Sequence, residues 1–268
     1  MRAVRIWRIT GVVTVLFVLL MGAGQTLAVV AKQQRQEDRV FTAEVHKLQL
    51  STGSSGVSVR AGAPGRVVLH KNLDWTVSEP KVRADVDASG VMTLDVRCRR
   101  ELPFYNCGAQ LELEVPAGTE VAGEVTSGSV TLEGLTGPVD LGGTSGAIYL
   151  NGLSGEVRAR TSSGMVQGTA LRSGKVEVST ASGAVDLGFA TAPRDAKVST
   201  GSGAASVTLP QGSHYRISGR SGSGGSTIDP ALGDATSPNS LTADVGSGSL
   251  DIGYGSAAPK APAAPRPQ

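Results

Sequence analysis

From Leu48 onward, apolar and polar residues alternate in short runs: Leu48 and Leu50, Val57 and Val59, then Met92, Leu94 and Val96. Period-two alternation marks half-buried β-strands, because successive side chains point to opposite faces of a sheet. Gly, Ser, Asp and Pro separate the runs, as in Asp87-Ala-Ser-Gly90, and these residues favour turns. The segment Asn72 to Lys81 breaks the alternation. Its Trp75 is expected to cover an open end or edge of the core rather than to bind a sugar.

From about Pro116 the alternation becomes a repeat. Thr126 to Leu141 reads TSGSVTLEGLTGPVDL, and Thr144 to Ala159 reads TSGAIYLNGLSGEVRA, eighteen residues later. Aligned on Ser-Gly, one column holds Val130, Ile148, Val166, Val185, Ala205 and Leu250. A second column from the other half of each unit holds Val139, Val157, Val176 and Ala196. One unit cannot bury its apolar face alone, but stacked units bury it against each other. The predicted fold is all-β: a parallel β-solenoid (β-helix) over residues 45–255, with two short strands per 18–20-residue coil. The alternative is an antiparallel sandwich, which near-identical units without odd-even alternation disfavour. Glycine is expected at the corners, where a Cβ is unwelcome, with Ser and Thr beside it bonding corner backbone groups. Two units depart from the pattern. Gly168 replaces an inward Leu, and Phe189 to Ala196 (FATAPRDA) replaces a simple turn, so both places should be loose or bulged. The stretch from Ser226 (STIDPALGDATSPN) interrupts the spacing and is expected to cross or cap the open end.

The beginning of the chain follows a different rule. Arg2, Arg5 and Arg8 precede an apolar run from Gly11 to Ala31, long enough for a transmembrane helix. The basic flank should stay cytoplasmic, which places the rest outside. The expected organisation is a basic segment at 1–10, a transmembrane signal-anchor at 11–31, a Gln-rich stalk at 32–44, the solenoid, and a disordered Pro/Ala-rich tail at 256–268. If 11–31 is instead a signal peptide that is cleaved, the domain is secreted. Aromatics are only 4% of the residues, so the core must be built from Val, Leu, Ile and Ala. A net charge of +2 gives no argument for nucleic acid.

The chemistry-bearing residues are few. Cys98 and Cys107, nine apart, read as a structural disulfide in an exported domain. A metal site would need more ligands than two thiols without nearby His. His46, His70 and His214 lie in separate segments and read as surface or edge histidines, so no cofactor is expected. One outward column carries Asp140, Arg158, Glu177 and Lys197, whose charges would alternate about 4.8 Å apart if stacked. It reads either as a charged binding strip or as a solvated ladder of weak ion pairs, each contributing about 0–1 kcal/mol. Arg97 to Arg100 (RCRR) forms a basic cluster that could touch anionic polymer or lipid heads, or be a hydrated strand end. Gly222 to Pro230 (GSGGSTIDP) lacks the lysine and the following helix of a phosphate loop.

The opening HKLQLSTGSSGVSV, the passage Cys98…Cys107…LELEVPAGTEV and the serial TSGxVxL…GxVxx coils together resemble a known family. It is the β-strand-repeat family of bacterial envelope proteins described as adhesins, a domain of unknown function common in Gram-positive bacteria. The resemblance spans roughly Val45 to Gly253. It implies a β-helical fold on the cell exterior and supplies no catalytic residues. The expected function is a non-enzymatic envelope scaffold, held at the membrane by its N-terminal helix and binding cell-wall polymer, glycan or protein. The alternatives are a β-helical carbohydrate-active enzyme, tested at Asp186 and Glu177, and an anchored sensor working through a partner.

Overall fold

The computed structural model describes Thr14 and residues 33–76, 78–98 and 107–255. The expected span at 11–31 (Thr14 apart), the segment 1–10 and the tail 256–268 lie outside the described residues. Among the described residues no helix is long and apolar enough to cross a membrane.

The protein is all-β with almost no helix. Its first seven strands are β1 (Gln33–Phe41), β2 (Lys47–Thr52), β3 (Gly56–Gly62), β4 (Val67–Trp75), β5 (Lys81–Val86), β6 (Val91–Arg97) and β7 (Cys107–Pro116). Then come β8 (Glu120–Val125), β9 (Ser129–Glu133), β10 (Val139–Gly143), β11 (Ala147–Asn151), β12 (Val157–Thr161) and β13 (Met165–Leu171). The last are β14 (Lys175–Ser182), β15 (Val185–Phe189), β16 (Asp195–Leu209), β17 (Arg216–Ser223), β18 (Ser226–Ile228) and β19 (Ser240–Tyr254). A 3-10 turn at Pro230–Leu232 lies between β18 and β19.

Hydrogen bonds arrange these strands in two ladders. The first runs β5, β6, β2, β8, β10, β12, β14, β16, β19, β17. The second runs β1, β4, β7, β3, β9, β11, β13, β15, β16, β19, β18. β16 and β19 bend round the corner and serve in both ladders. At about 4.8 Å per strand the second ladder is on the order of 50 Å long.

The repeat columns set this register. Val121, Val139, Val157, Val176, Ala196 and Leu241 are successive partners in the first ladder. Val130, Ile148, Val166, Val185, Ala205 and Leu250 are partners in the second. All of them are buried. Each buried Val or Leu contributes roughly 1.5–3 kcal/mol, so the columns are the main source of stability. The corners stack as closely as the strands do. A Cβ on Gly164 would collide with the carbonyl of Gly146, and one on Gly183 with that of Gly164. The corner backbone bonds mostly to the neighbouring corner, as in Ser145 N–H to Thr126 O and Ser163 N–H to Thr144 O, both 2.8 Å. Side chains help at fewer places than expected; Thr161 Oγ1 accepts from Gly164 N–H at 3.1 Å.

The expected bulge at Gly168 is present. The β13–β15 register shifts between Gly168 and Leu171, and Ala170 has a positive φ of 51°. Leu171 Cδ1 fills the space an inward side chain at Gly168 would occupy, which explains both the Gly and the shift.

The first half departs from an all-parallel coil. β1–β4, β4–β7 and β5–β6 are antiparallel. The β5–β6 hairpin closes on the Asp87 turn, whose carboxylate accepts from Ser89 N–H, Ser89 Oγ–H and Val91 N–H. These bonds, led by the Ser89 hydroxyl, hold the Asp87 carboxyl below its usual range. Spatial order also differs from chain order. The first winding, β2–β3, lies between β6–β7 and β8–β9. The last winding, β19, lies between β16 and β17–β18. The interrupting stretch from Ser226 therefore does cross the end: after β18 it carries buried Leu232 and returns the chain to β19.

Residues 33–41, placed in the stalk by composition, form the edge strand β1. β1 puts charge on the core side: Arg35, Glu37 and Arg39 lie opposite Leu73, Lys71 and Leu69. Lys71 is 5% exposed, and its Nζ donates to Glu37 Oε2 at 2.9 Å. That hydrogen bond and the lysine's charge hold the Glu37 carboxyl below its usual range. Arg35 also pairs with Glu79 at 3.2 Å. The alternation expected to break at Asn72 continues to the end of β4, where Trp75 is half-buried against the core.

Candidate functional site

The outward face of the first ladder carries the predicted strip. Because β10, β12, β14 and β16 pair in parallel, Asp140, Arg158, Glu177 and Lys197 stand in one file as direct partners. Arg158 lies between two acids: its Nε is 3.3 Å from Glu177 Oε2, and its Nη1 is 3.8 Å from Asp140 Oδ2. The parallel file beside it adds Glu156 and Lys175, paired at 2.7 Å. Lys175, by hydrogen bond and then by charge, holds the Glu156 carboxyl below its usual range. Arg158 and Glu177 are about one-third exposed and Asp140 is 55% exposed, so water screens every pair.

Next to this file the face is hollow. Gly142 and Gly143 of β10 present no side chains there, and Gly123 of β8 comes so close to Leu50 that a Cβ would strike its carbonyl. Gln49, Glu124, Asp140, Arg160, Thr144 and Ser162 surround these glycines in an open groove of ≈ 590 Å³. Arg160 Nη1 lies 3.8 Å from Asp140 Oδ1 across it. The groove offers donors and acceptors of both signs around a glycine floor. That suits the hydroxyls and occasional charges of a polar polymer.

Other sequence candidates are dispersed. Cys98 and Cys107 form the expected disulfide, joining the end of β6 to the start of β7. Arg97 pairs with Asp95 at 2.7 Å, while Arg99 and Arg100 lie outside the described residues. Gly222 to Pro230 runs from β17 through a corner and β18 into the 3-10 turn, with no long helix behind it. Glu177 faces outward from the first ladder, whereas Asp186 lies in the outward column of the second, between Gln167 and Ser206. The two carboxylates therefore belong to different ladders and share no file.

Sequence reasoning missed a second polar groove, of ≈ 400 Å³, at the β1–β4–β7 end. Asp38, His70 and Glu112 form one cross-strand rank there, and Gln36, Asn72 and Gln110 form the next. His70 Nδ1 is 2.7 Å from Asp38 Oδ1. Nothing in linear spacing brings residues 38, 70 and 112 together; only the antiparallel register does. Among the described residues no three His, Cys, Asp or Glu are placed to hold a metal ion.

A family profile described as "Toastrack DUF4097" matches residues 39–252. No curated protein matches the chain. Among solved structures, a "putative cell adhesion protein" from Clostridium sporogenes is 15% identical, with a TM-score of 0.41, over 83% of this chain and 100% of its own. A "putative adhesin" from Bacteroides fragilis is 14% identical, with a TM-score of 0.43, over 81% and 97%. A "putative lipid binding protein" from Parabacteroides distasonis is 11% identical, with a TM-score of 0.34, over 82% and 96%.

Proposed function

The chain belongs to the Toastrack DUF4097 family, and from that premise we propose that it is an exported, non-enzymatic envelope scaffold of adhesin type. It is a β-solenoid rod held at the membrane by residues 11–31, single-pass with the C-terminal domain outside, and it binds an extracellular macromolecule through the outward face of its first ladder. The observation that carries this reading is the file Asp140–Arg158–Glu177–Lys197 beside the glycine-floored groove. A repeating polymer of sugar or wall phosphate presents regularly spaced polar groups, and a file with one side chain per strand matches such regularity.

The full chain in mild detergent, immobilised and offered cell-wall polymers, glycans and envelope proteins, should retain one of these classes. Arg158→Glu with Lys197→Glu should reduce that retention at least tenfold without changing the melting temperature by more than a few degrees. Retention of none of them would end this reading. Turnover of a polysaccharide, abolished by Glu177→Gln or Asp186→Asn, would replace it with the carbohydrate-active alternative. N-terminal sequencing of the mature protein separates an anchored form from a secreted one.

A further inference from the structure

The far end of the stack is built differently from the end at which β1 enters. β17 and β18 are the last strands of the two ladders, and each pairs only with β19 among the described residues. The returning loop bonds the start of this edge, with Tyr215 N–H donating to Leu232 O and Asp234 N–H to Tyr215 O; from Ile217 to Ser223 and along β18 the outer backbone has no ladder partner, and such an edge is a template for another strand. Native edges are usually blunted by bulges, prolines or inward charges, and β1 follows that practice with Arg35, Glu37 and Arg39. β17 and β18 have no inward charge, although β18 is three residues long and Pro230 follows it: their core-side positions are Ile217, Gly219, Ser221, Ser226 and Ile228, by register with Leu241, Ala243, Val245, Leu250 and Ile252. Ile228 is 37% exposed, one of the few large apolar side chains so placed.

We propose that this edge pairs with the same edge of a second copy of the chain, end to end, about a two-fold axis through the corner between β17 and β18. The corner dictates the register. The core-side residues Ser221 and Ser226 flank it symmetrically, so the axis passes between Ser223 and Gly224. β17 of one copy then lies antiparallel to β18 of the other, with core sides kept together. Ile228 faces the side-chain-free position of Gly219 of the partner subunit and lies diagonal to Ile217 of the partner subunit, within reach of an aliphatic contact. On the outer side Arg220 lies opposite Thr227 of the partner subunit and diagonal to Asp229 of the partner subunit, so opposite charges approach. The same patch on both copies makes the contact closed and dimeric. The inward charges of β1 keep the other end from joining and extending a fibre. This deepens the proposed function by naming a partner. The pairing itself is independent of that reading.

The test uses the full chain in detergent. Arg220→Cys with Thr227→Cys places two thiols directly opposite across the axis, at a Cα separation a disulfide can bridge, while the native cysteines are already paired. Mild oxidation should give a covalent dimer from the double variant and none from either single variant. Light scattering of the otherwise unaltered chain should show a dimer–monomer equilibrium, and Ile228→Lys should shift it at least tenfold toward monomer. A monomer at about 100 µM, a dimer indifferent to Ile228→Lys, or equal cross-linking by the single variants would each overturn the pairing. Those results would leave the polymer-binding function standing, whereas loss of polymer retention with the dimer intact would do the reverse.

Discussion

At the N-terminal end of the stack, β1 turns Arg35, Glu37 and Arg39 toward the core and meets the nearly buried Lys71; at the C-terminal end, β17 and β18 turn Gly219, Ser221 and Ser226 the same way. The first end is also antiparallel and carries the Cys98–Cys107 disulfide. The second is parallel and has no staple. Both have the same backbone edge to manage. One end carries charge on its core side, whereas the other carries small residues with Ile217 and Ile228 and no inward charge, so the two edges differ in how readily another strand can join them.

The contrast is easiest to break at the level of packing. Leu113 is fully buried one strand in from β4, whereas Ile217 is only half-buried on the free edge. Leu113→Ala should cost about 2–5 kcal/mol in urea unfolding, and Ile217→Ala less than about 1 kcal/mol by the smaller area it removes from water. Equal losses would mean that the far edge is already covered as deeply as the near one. Next in size is the staple: Cys98→Ser with Cys107→Ser should lower stability by about 2–3 kcal/mol. Hydrogen exchange should rise in β4–β7 and stay unchanged in β17–β19.

Charge at the N-terminal end can be removed more gently. Glu37→Gln leaves Lys71 without its carboxylate partner at a site 5% exposed and should lower the urea midpoint of unfolding. Acid should act on the same pair. Because the Lys71 hydrogen bond and charge hold the Glu37 carboxyl below its usual range, its contribution is complete above that usual range and disappears as the pH falls through the lowered value. Proteolysis of β1 should therefore accelerate in the normal chain as the pH falls below the usual carboxylate range and be less pH-dependent in Glu37→Gln. The smallest effect belongs to the middle of the rod, where Arg158→Ala should change stability by about 0–1 kcal/mol. A larger loss would make the strip a structural clamp instead of a surface available for binding.

The two regions also differ in how much their residues disclose. In the central windings, Val130, Ile148, Val166 and Val185 recur in one column, so pairing, register and the outward file from Asp140 to Lys197 can all be read from the linear sequence. The bulge at Gly168 is legible too, because a missing inward side chain must be replaced by something, here Leu171. At the N-terminal end the same logic fails. The alternation in β4 is identical whether its neighbour runs parallel or antiparallel. β1 resembles a stalk because its charges find partners outside the strand, in Lys71, His70 and Glu79, that linear spacing does not reveal. The groove at Gly142 and Gly143 is hidden for a related reason, since an absence of side chains on one strand becomes a hollow only once Glu124 and Arg160 flank it. Winding order is hidden because every winding fits the same columns.

That last point has a bearing on how the molecule is made. β19 is synthesised after β17 and β18 yet must enter between them and β16. The ribosome cannot lay the rod down turn by turn to its finish. The outermost strands wait, or pair provisionally, until the final fifteen residues of β19 arrive and are threaded into place. Trimming those residues would not shorten the rod but would cut it one rung from its tip.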